Sequence, residues 1–222
     1  MTESPATKPG DAAVRLFPLP VVAVMRAPDA QHFARAVEVL IEAGVRSFEL
    51  TMTTDGALAA LEHARSRFGD GTIQIGMGTV RSSRDAERAL AAGAEFLVSQ
   101  VSEPEVARTA AVHGCSYVPG ALTPSEIVAA WRLGVPAVKV SPIGPVGGWR
   151  YLRELVGPLP GVALMPTGGV LVEEVAQYLR LGAYAVGVSR DLFRDVLVRG
   201  DGLDGLAERG RVAVRGAEEA AA

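Results

Sequence analysis

The chain has 222 residues, 49% of them apolar, which suits one domain with a sizeable core. Its formal net charge is −3, and its 22 basic residues are scattered among 25 acids, so neither a nucleic acid nor another polyanion is an expected partner. The single cysteine, Cys115, rules out an internal disulfide and suits a reducing cytoplasm, and no apolar stretch is long enough for a membrane span or a signal core.

Residues 1–12 read as a flexible tail. From 13 to 215 a unit repeats: an amphipathic helix, a glycine, then a short apolar strand. The strands are expected near 21–26, 47–52, 74–79, 96–100, 117–121, 137–141, 162–166 and 185–189. Gly44, Gly93, Gly114, Gly134 and Gly182, with Gly69 and Gly161 as weaker members, fall where each preceding helix should end in a left-handed cap. Most helix starts carry Asp, Ser, Thr or Pro, as in T-D-G-A, R-S-S-R-D and L-T-P-S-E. Residues 216–222 read as a C-terminal tail or a fraying helix end. Strict β/α alternation implies a parallel sheet. Eight units in so short a chain point to an α/β fold, a single-domain (β/α)8 TIM barrel. The alternative is an open doubly wound sheet, but neither G-x-G-x-x-G nor G-x-x-x-x-G-K-[ST] occurs.

In such a barrel, chemistry sits where strands run into the loops that follow them. Strand 1 ends in Arg26. Strand 2, S-F-E-L-T-M-T, sends Phe48, Leu50 and Met52 to one face and Glu49, Thr51 and Thr53 to the other. The apolar face should meet helices, so Glu49 should point inward. Strand 3 ends at Thr79 and strand 5 in V-P-G-A. Strand 6, A-V-K-V-S-P, holds Lys139, one of only 2 lysines beside 20 arginines; the other is Lys8. Where only charge is needed this chain uses arginine, whereas an amine can lose its proton and attack a carbonyl. Lys139 is therefore a candidate imine-forming nucleophile with Glu49 as its proton carrier. The bland reading is a packed stem with a snorkelling amine, or a buried ion pair. The turns after strands 7 and 8, Thr167-Gly168-Gly169 and Gly187-Val188-Ser189, stand where this fold class gathers backbone N–H groups around phosphate. Taken singly, each is also an ordinary tight turn.

Other residues read blandly. His32, His63 and His113 lie in predicted helices without metal-ligand spacing, so no metal and no cofactor is expected. Cys115 should be a small core residue at the start of strand 5. Trp131 and Trp149 read as packing. The loop 141–148, S-P-I-G-P-V-G-G, can shape a mouth or merely turn the chain.

Taken in order, F-E-L-T-M-T-T, G-M-G-T-V, V-P-G, A-V-K-V-S-P, M-P-T-G-G-V and V-G-V-S resemble the class I 2-keto-3-deoxy-6-phosphogluconate and 4-hydroxy-2-oxoglutarate (KDPG/KHG) aldolases, from about Val21 to Phe193. The resemblance implies a (β/α)8 barrel, usually a homotrimer. It implies a metal-free lyase that splits a 2-keto-3-deoxy-6-phospho sugar acid into pyruvate and an aldehyde such as glyceraldehyde 3-phosphate. It implies Lys139 as the Schiff-base lysine and Glu49 as the general acid/base. Thr79, Arg26, Thr53, Pro119 and Ser141 would line the small-molecule keto-acid pocket, and Thr167, Gly168, Gly169, Gly187 and Ser189 the phosphate pocket.

Four positions depart from the family pattern. Thr53 stands where an arginine is usual; Arg26 is the expected replacement, as the similar phosphogalactonate aldolases also have an arginine there. Ser141 replaces an aromatic residue, Gln100 a proline, and Val188 a small residue. Two alternatives follow. One is a related pyruvate lyase acting on 4-hydroxy-2-oxoglutarate, a phosphogalactonate-type acid or an unphosphorylated keto acid. The other is a non-catalytic barrel that binds a sugar phosphate.

Overall fold

A computed structural model describes residues 16–69 and 71–221. The expected tail at 1–12, with Lys8, lies outside the described residues. Strands and helices alternate: β1 (Val21–Met25), α1 (Phe33–Glu42), β2 (Ser47–Thr51), α2 (Ala57–Phe68), β3 (Gln74–Gly78), α3 (Ser83–Ala91), β4 (Phe96–Val98) and α4 (Pro104–Val112). Then come β5 (Ser116–Val118), β6 (Gly120–Ala121), α5 (Pro124–Trp131), β7 (Val138–Val140), α6 (Trp149–Val156), β8 (Leu164–Pro166), α7 (Val175–Arg180), β9 (Val186–Val188), α8 (Arg190–Phe193), α9 (Val196–Arg199) and α10 (Leu203–Ala221).

Every pairing is parallel. One sheet runs β5-β4-β3-β2-β1-β9 and the other β6-β7-β8. The strand expected at 117–121 is thus two pieces. Pro119 has no N–H to give to a ladder, and the chain changes partner there: Val118 is in register with Val98, Gly120 with Lys139. Across this break Lys139 donates its backbone N–H to Pro119 at 2.8 Å. At the other seam Tyr184 donates to Leu164 at 2.8 Å, and Thr167 bridges Gly187. The architecture is α/β and TIM-barrel-like, a curled parallel sheet ringed by helices.

The period-2 alternation of the strands divides the core in two. Val21, Ala23, Met25, Phe48, Leu50, Ile75 and Met77 face the helices. Val22, Val24, Phe96, Val98, Val118 and Met165 fill the inside of the sheet, with Phe17 set edge-to-face on Phe96 at 5.2 Å. Polar residues follow toward the strand C-termini: Glu49, Thr51, Ser99 and Lys139 are all buried.

The expected left-handed caps occur at Gly44, Gly93, Gly114, Gly134, Gly161 and Gly182; Gly69 is the exception, at φ −78°. Ser82 accepts from the Asp85 N–H, and Thr123 and Glu126 form a reciprocal capping box. The tail expected from 216 is instead continuous helix. Here α10 runs on to Ala221 with Ala217 only 2% exposed, because its small residues pack on the domain rather than fray.

Candidate active site

Lys139 is the central residue of β7, between Val138 and Val140, whose side chains join the outer core. Alternation therefore turns the lysine inward, where it is 4% exposed. Glu49 is central in β2 and turned inward the same way, at 0% exposure. Lys139 Nζ donates to Glu49 Oε1 at 3.2 Å. The second carboxylate oxygen, Oε2, is buried with no hydrogen-bond partner among the described residues. A buried ion pair that served stability alone would need its remaining lone pairs satisfied. Gly78 makes room for the carboxylate, since a Cβ there would overlap Glu49 Oε1, Cδ and Cγ.

Arg26 lies just past β1. Its guanidinium donates to Thr53 Oγ1 at 2.9 Å and to Thr79 Oγ1 at 2.8 Å. Thr53 is not an inward strand residue, as its alternation with Glu49 and Thr51 implied. β2 ends at Thr51, and Thr53 is an exposed turn residue. Thr79 holds φ +60°, an outlier for a β-branched side chain, costing about 1–3 kcal/mol that its surroundings must offset.

Ser141 follows Lys139 on the same face. Its Oγ donates to Gln100 Oε1 at 3.4 Å, and Gln100 Nε2 donates to the Ser141 carbonyl at 3.2 Å. Two of the positions that depart from the family pattern thus clasp each other at the mouth. Pro119 is buried, its carbonyl taken by Lys139 N–H.

Thr167 is buried, with its hydroxyl donating to the Met165 carbonyl at 3.3 Å. Gly168 and Gly169 both hold φ +83°, and among the described residues their N–H groups donate to no protein acceptor. The turn is held from the other side, because Gly144 N–H donates to Gly168 C=O at 2.8 Å. Gly187 is buried against Thr167. The Ser189 hydroxyl donates to Val24 C=O at 2.7 Å, which leaves its lone pairs as acceptors and takes up its proton. Arg26, Gly168, Gly169 and Ser189 all line one cleft of about 510 Å³. Sequence reading missed two further charged residues of its wall, Arg190 and Arg194. The signal was the four-residue spacing of arginines directly after Ser189.

The residues read as bland stay away from this cleft. Burial, then the Glu95 charge, pushes the Cys115 thiol up to about 11; it precedes β5 and is half-buried. His32 and His113 cap α1 and α4, and His63 lies within α2. Trp149 packs on the core under the Arg150 guanidinium at 4.2 Å. Among the described residues no three His, Cys, Asp or Glu side chains converge as a metal site would require.

The family model for KDPG and KHG aldolase matches residues 13–207. The chain belongs to this family. It is an aldolase of the KDPG type, a carbon–carbon lyase. A 2-dehydro-3-deoxy-phosphogluconate aldolase from Treponema pallidum (strain Nichols) is 35% identical to this aldolase, over 76% of this chain and 78% of that one. A probable 2-dehydro-3-deoxy-6-phosphogalactonate aldolase from Rhizobium meliloti (strain 1021) is 30% identical, over 82% and 85%. The KDPG aldolase of Legionella pneumophila, solved with pyruvate captured as a covalent carbinolamine intermediate, shares the fold. It superposes with a TM-score of 0.80 at 24% identity, over 90% of this chain and 96% of that one.

Proposed function

We propose that this aldolase cleaves a 2-keto-3-deoxy-6-phospho sugar acid to pyruvate and an aldehyde such as glyceraldehyde 3-phosphate, through an imine on Lys139. The observation that carries this is the enclosed Lys139–Glu49 contact at 3.2 Å, with one carboxylate oxygen unpaired among the described residues. Lys139 passes a proton to Glu49, and its neutral amine attacks the C2 ketone to give a carbinolamine. Glu49 returns that proton to the departing hydroxyl, and loss of water leaves a protonated imine, an electron sink, with Glu49 again a carboxylate. Glu49 takes the proton of the C4 hydroxyl, the C3–C4 bond breaks, and its electrons flow into the imine to give an enamine. The aldehyde departs. The enamine takes a proton at C3, and water releases pyruvate and the free lysine.

In this reading Arg26, held by Thr53 and Thr79, binds the substrate carboxylate, and Pro119 and Ser141 form the wall beside the imine. The free N–H groups of Gly168 and Gly169, with Thr167, Gly187 and Ser189, form the phosphate end. The seam bonds at Pro119 and Thr167 support eight strand positions closing into a complete (β/α)8 barrel. Family membership supports a homotrimer, which light scattering would measure, and the single cysteine supports a cytoplasmic setting.

A phosphogalactonate-type acid is the second reading, favoured by Arg26 bridging Thr53 and Thr79. Comparing the rates on the two C4 epimers decides between them. The test of the first step is incubation with pyruvate and borohydride, then peptide mapping. A reduced pyruvyl adduct on Lys139 is expected. A folded enzyme that yields none defeats the imine.

A further inference from the structure

Ser141 stands two residues beyond Lys139 on the inward side and is 8% exposed. Its hydroxyl also reaches toward the glycine turn, because a Cβ on Gly168 would lie 3.2 Å from Ser141 Oγ. Ser141 lines a cleft of about 360 Å³ together with Gln100, and Pro142, directly after it, lines the cleft of about 510 Å³ that holds Arg26 and Gly168. The serine is thus the ridge between the two. A chain-like molecule joined to Lys139 at one end and seated on the Gly168–Gly169 turn at the other passes this ridge with its middle.

The ridge is held from behind. Ser141 N–H donates to Ala121 C=O at 3.0 Å, which ties it to β6. The Gln100 backbone is pressed on the same strand, since a Cβ on Gly120 would strike the Gln100 carbonyl. Gln100 itself is exposed, yet two hydrogen bonds orient its amide. Those bonds decide what the pair offers a ligand. The Ser141 carbonyl can only accept, so the Gln100 atom facing it at 3.2 Å is Nε2. The atom facing Ser141 Oγ at 3.4 Å is then Oε1, which also only accepts, so the serine spends its proton there. Ser141 Oγ is left with free lone pairs and no proton, an acceptor for a ligand hydroxyl. A partly buried acceptor that meets no donor loses its water without replacement, so such a site discriminates against an analogue lacking the hydroxyl.

We propose that Ser141 is a specificity-determining residue of this aldolase and Gln100 its positioning residue, together selecting an aldehyde with a hydroxyl on the carbon next to the carbonyl. In the uncleaved acid this is the C5 hydroxyl. It lies between the C4 hydroxyl, which Glu49 deprotonates, and the remote phosphate. The inference deepens the aldolase reading above and rests on it. It holds for either C4 epimer, because both release the same aldehyde.

The test uses Ser141→Ala and Gln100→Leu. Each variant and the unaltered enzyme are assayed for addition of pyruvate to D-glyceraldehyde 3-phosphate and to 3-oxopropyl phosphate, which lacks only the hydroxyl. The readout is the ratio of kcat/KM for the first aldehyde to that for the second. A change in packing alone moves both rates together and leaves the ratio in place, whereas loss of one neutral hydrogen bond should lower it by about three- to tenfold. Ser141→Ala should show that fall, and Gln100→Leu, which frees the serine proton, should show part of it. A ratio within about twofold of the unaltered enzyme in Ser141→Ala, with pyruvate still trapped by borohydride, overturns the proposal. A fall in Ser141→Ala alone removes Gln100 from it. Should Ser141→Ala not fold, Gln100→Leu, at an exposed residue, reads the same ratio. An unaltered enzyme that traps no pyruvate defeats the aldolase reading, and this inference with it.

Discussion

Lys139 Nζ and Glu49 Oε1 are 3.2 Å apart, inside a sheet where the two residues are 4% and 0% exposed. Withdrawing both charges from water costs several kcal/mol per ion, and their attraction repays it only in full when every other lone pair is satisfied. Among the described residues Glu49 Oε2 has no such partner. The pair is therefore a poor device for stability, which fits the proton-moving role proposed for it.

Function and stability should then separate on substitution. Lys139→Met leaves an unpaired buried carboxylate, so it should cost about 3–5 kcal/mol as well as all imine formation. Adding Glu49→Gln to it should restore most of that stability and none of the activity. Denaturant melts of the single and double variants, beside borohydride trapping, measure both. A double variant no more stable than Lys139→Met would mean that the pair holds the fold together.

Glu49→Gln alone keeps the shape and removes the proton acceptor. We expect kcat to fall by about 10²–10⁴, the usual contribution of a general acid or base, while pyruvate still traps on Lys139. Stopped-flow turnover with parallel mass analysis separates the two steps. Trapping lost in step with turnover would assign Glu49 to imine formation itself.

Gly78→Ala probes the same contact from β3. The new Cβ would occupy the place of the Glu49 carboxylate, which must swing away from Lys139. Misplacing a catalytic group by about 1 Å can cost about 10²-fold in rate. A crystal structure of the variant together with kcat checks this. Unchanged kcat with a displaced Glu49 would remove the carboxylate from the mechanism.

The inward turn of Glu49 and Lys139 was legible because strand alternation needs only the apolar partners Phe48, Leu50, Val138 and Val140 to be recognised. The glycine caps were legible for a similar reason, each lying between a helix pattern and a strand pattern. Pro119 was visible as a residue, but its consequence, a change of ladder partner, depends on where β4 and β7 lie. Thr53 was misplaced because alternation was extended beyond Thr51, where the chain leaves the ladder. Gly216 looked like a terminus because its Ala/Glu surroundings are weakly apolar. Burial of Ala217 comes from packing that no local pattern records. Arg190 and Arg194 were hidden among 20 arginines, and their four-residue spacing after Ser189 gains meaning only from the cleft they line.

Arg26→Ala removes the donor shared by Thr53 and Thr79. Charged hydrogen bonds contribute about 1.5–3 kcal/mol, so KM for pyruvate in the addition reaction should rise by about ten- to a hundredfold. Half-saturation of borohydride trapping should move with it. An unchanged pyruvate dependence would assign the carboxylate to backbone N–H groups instead.

Cys115 tests the electrostatics at the start of β5. Burial, then Glu95, raises its pKa to about 11 from 9.0, so the folded state holds its proton more tightly than the unfolded chain does. The stabilisation this represents is complete below pH 9.0 and is lost as the pH rises toward about 11. The thiolate is the species that reacts with alkylating reagents. At pH 8 the native thiol should therefore label about a hundredfold more slowly than in the denatured chain, a two-unit difference in pKa. Labelling with iodoacetamide across pH 8 to 11, followed by mass spectrometry, gives the native titration directly. A midpoint near 9 would show that solvent reaches the sulfur, and that the half-buried thiol lacks the desolvation its position beside β5 implies.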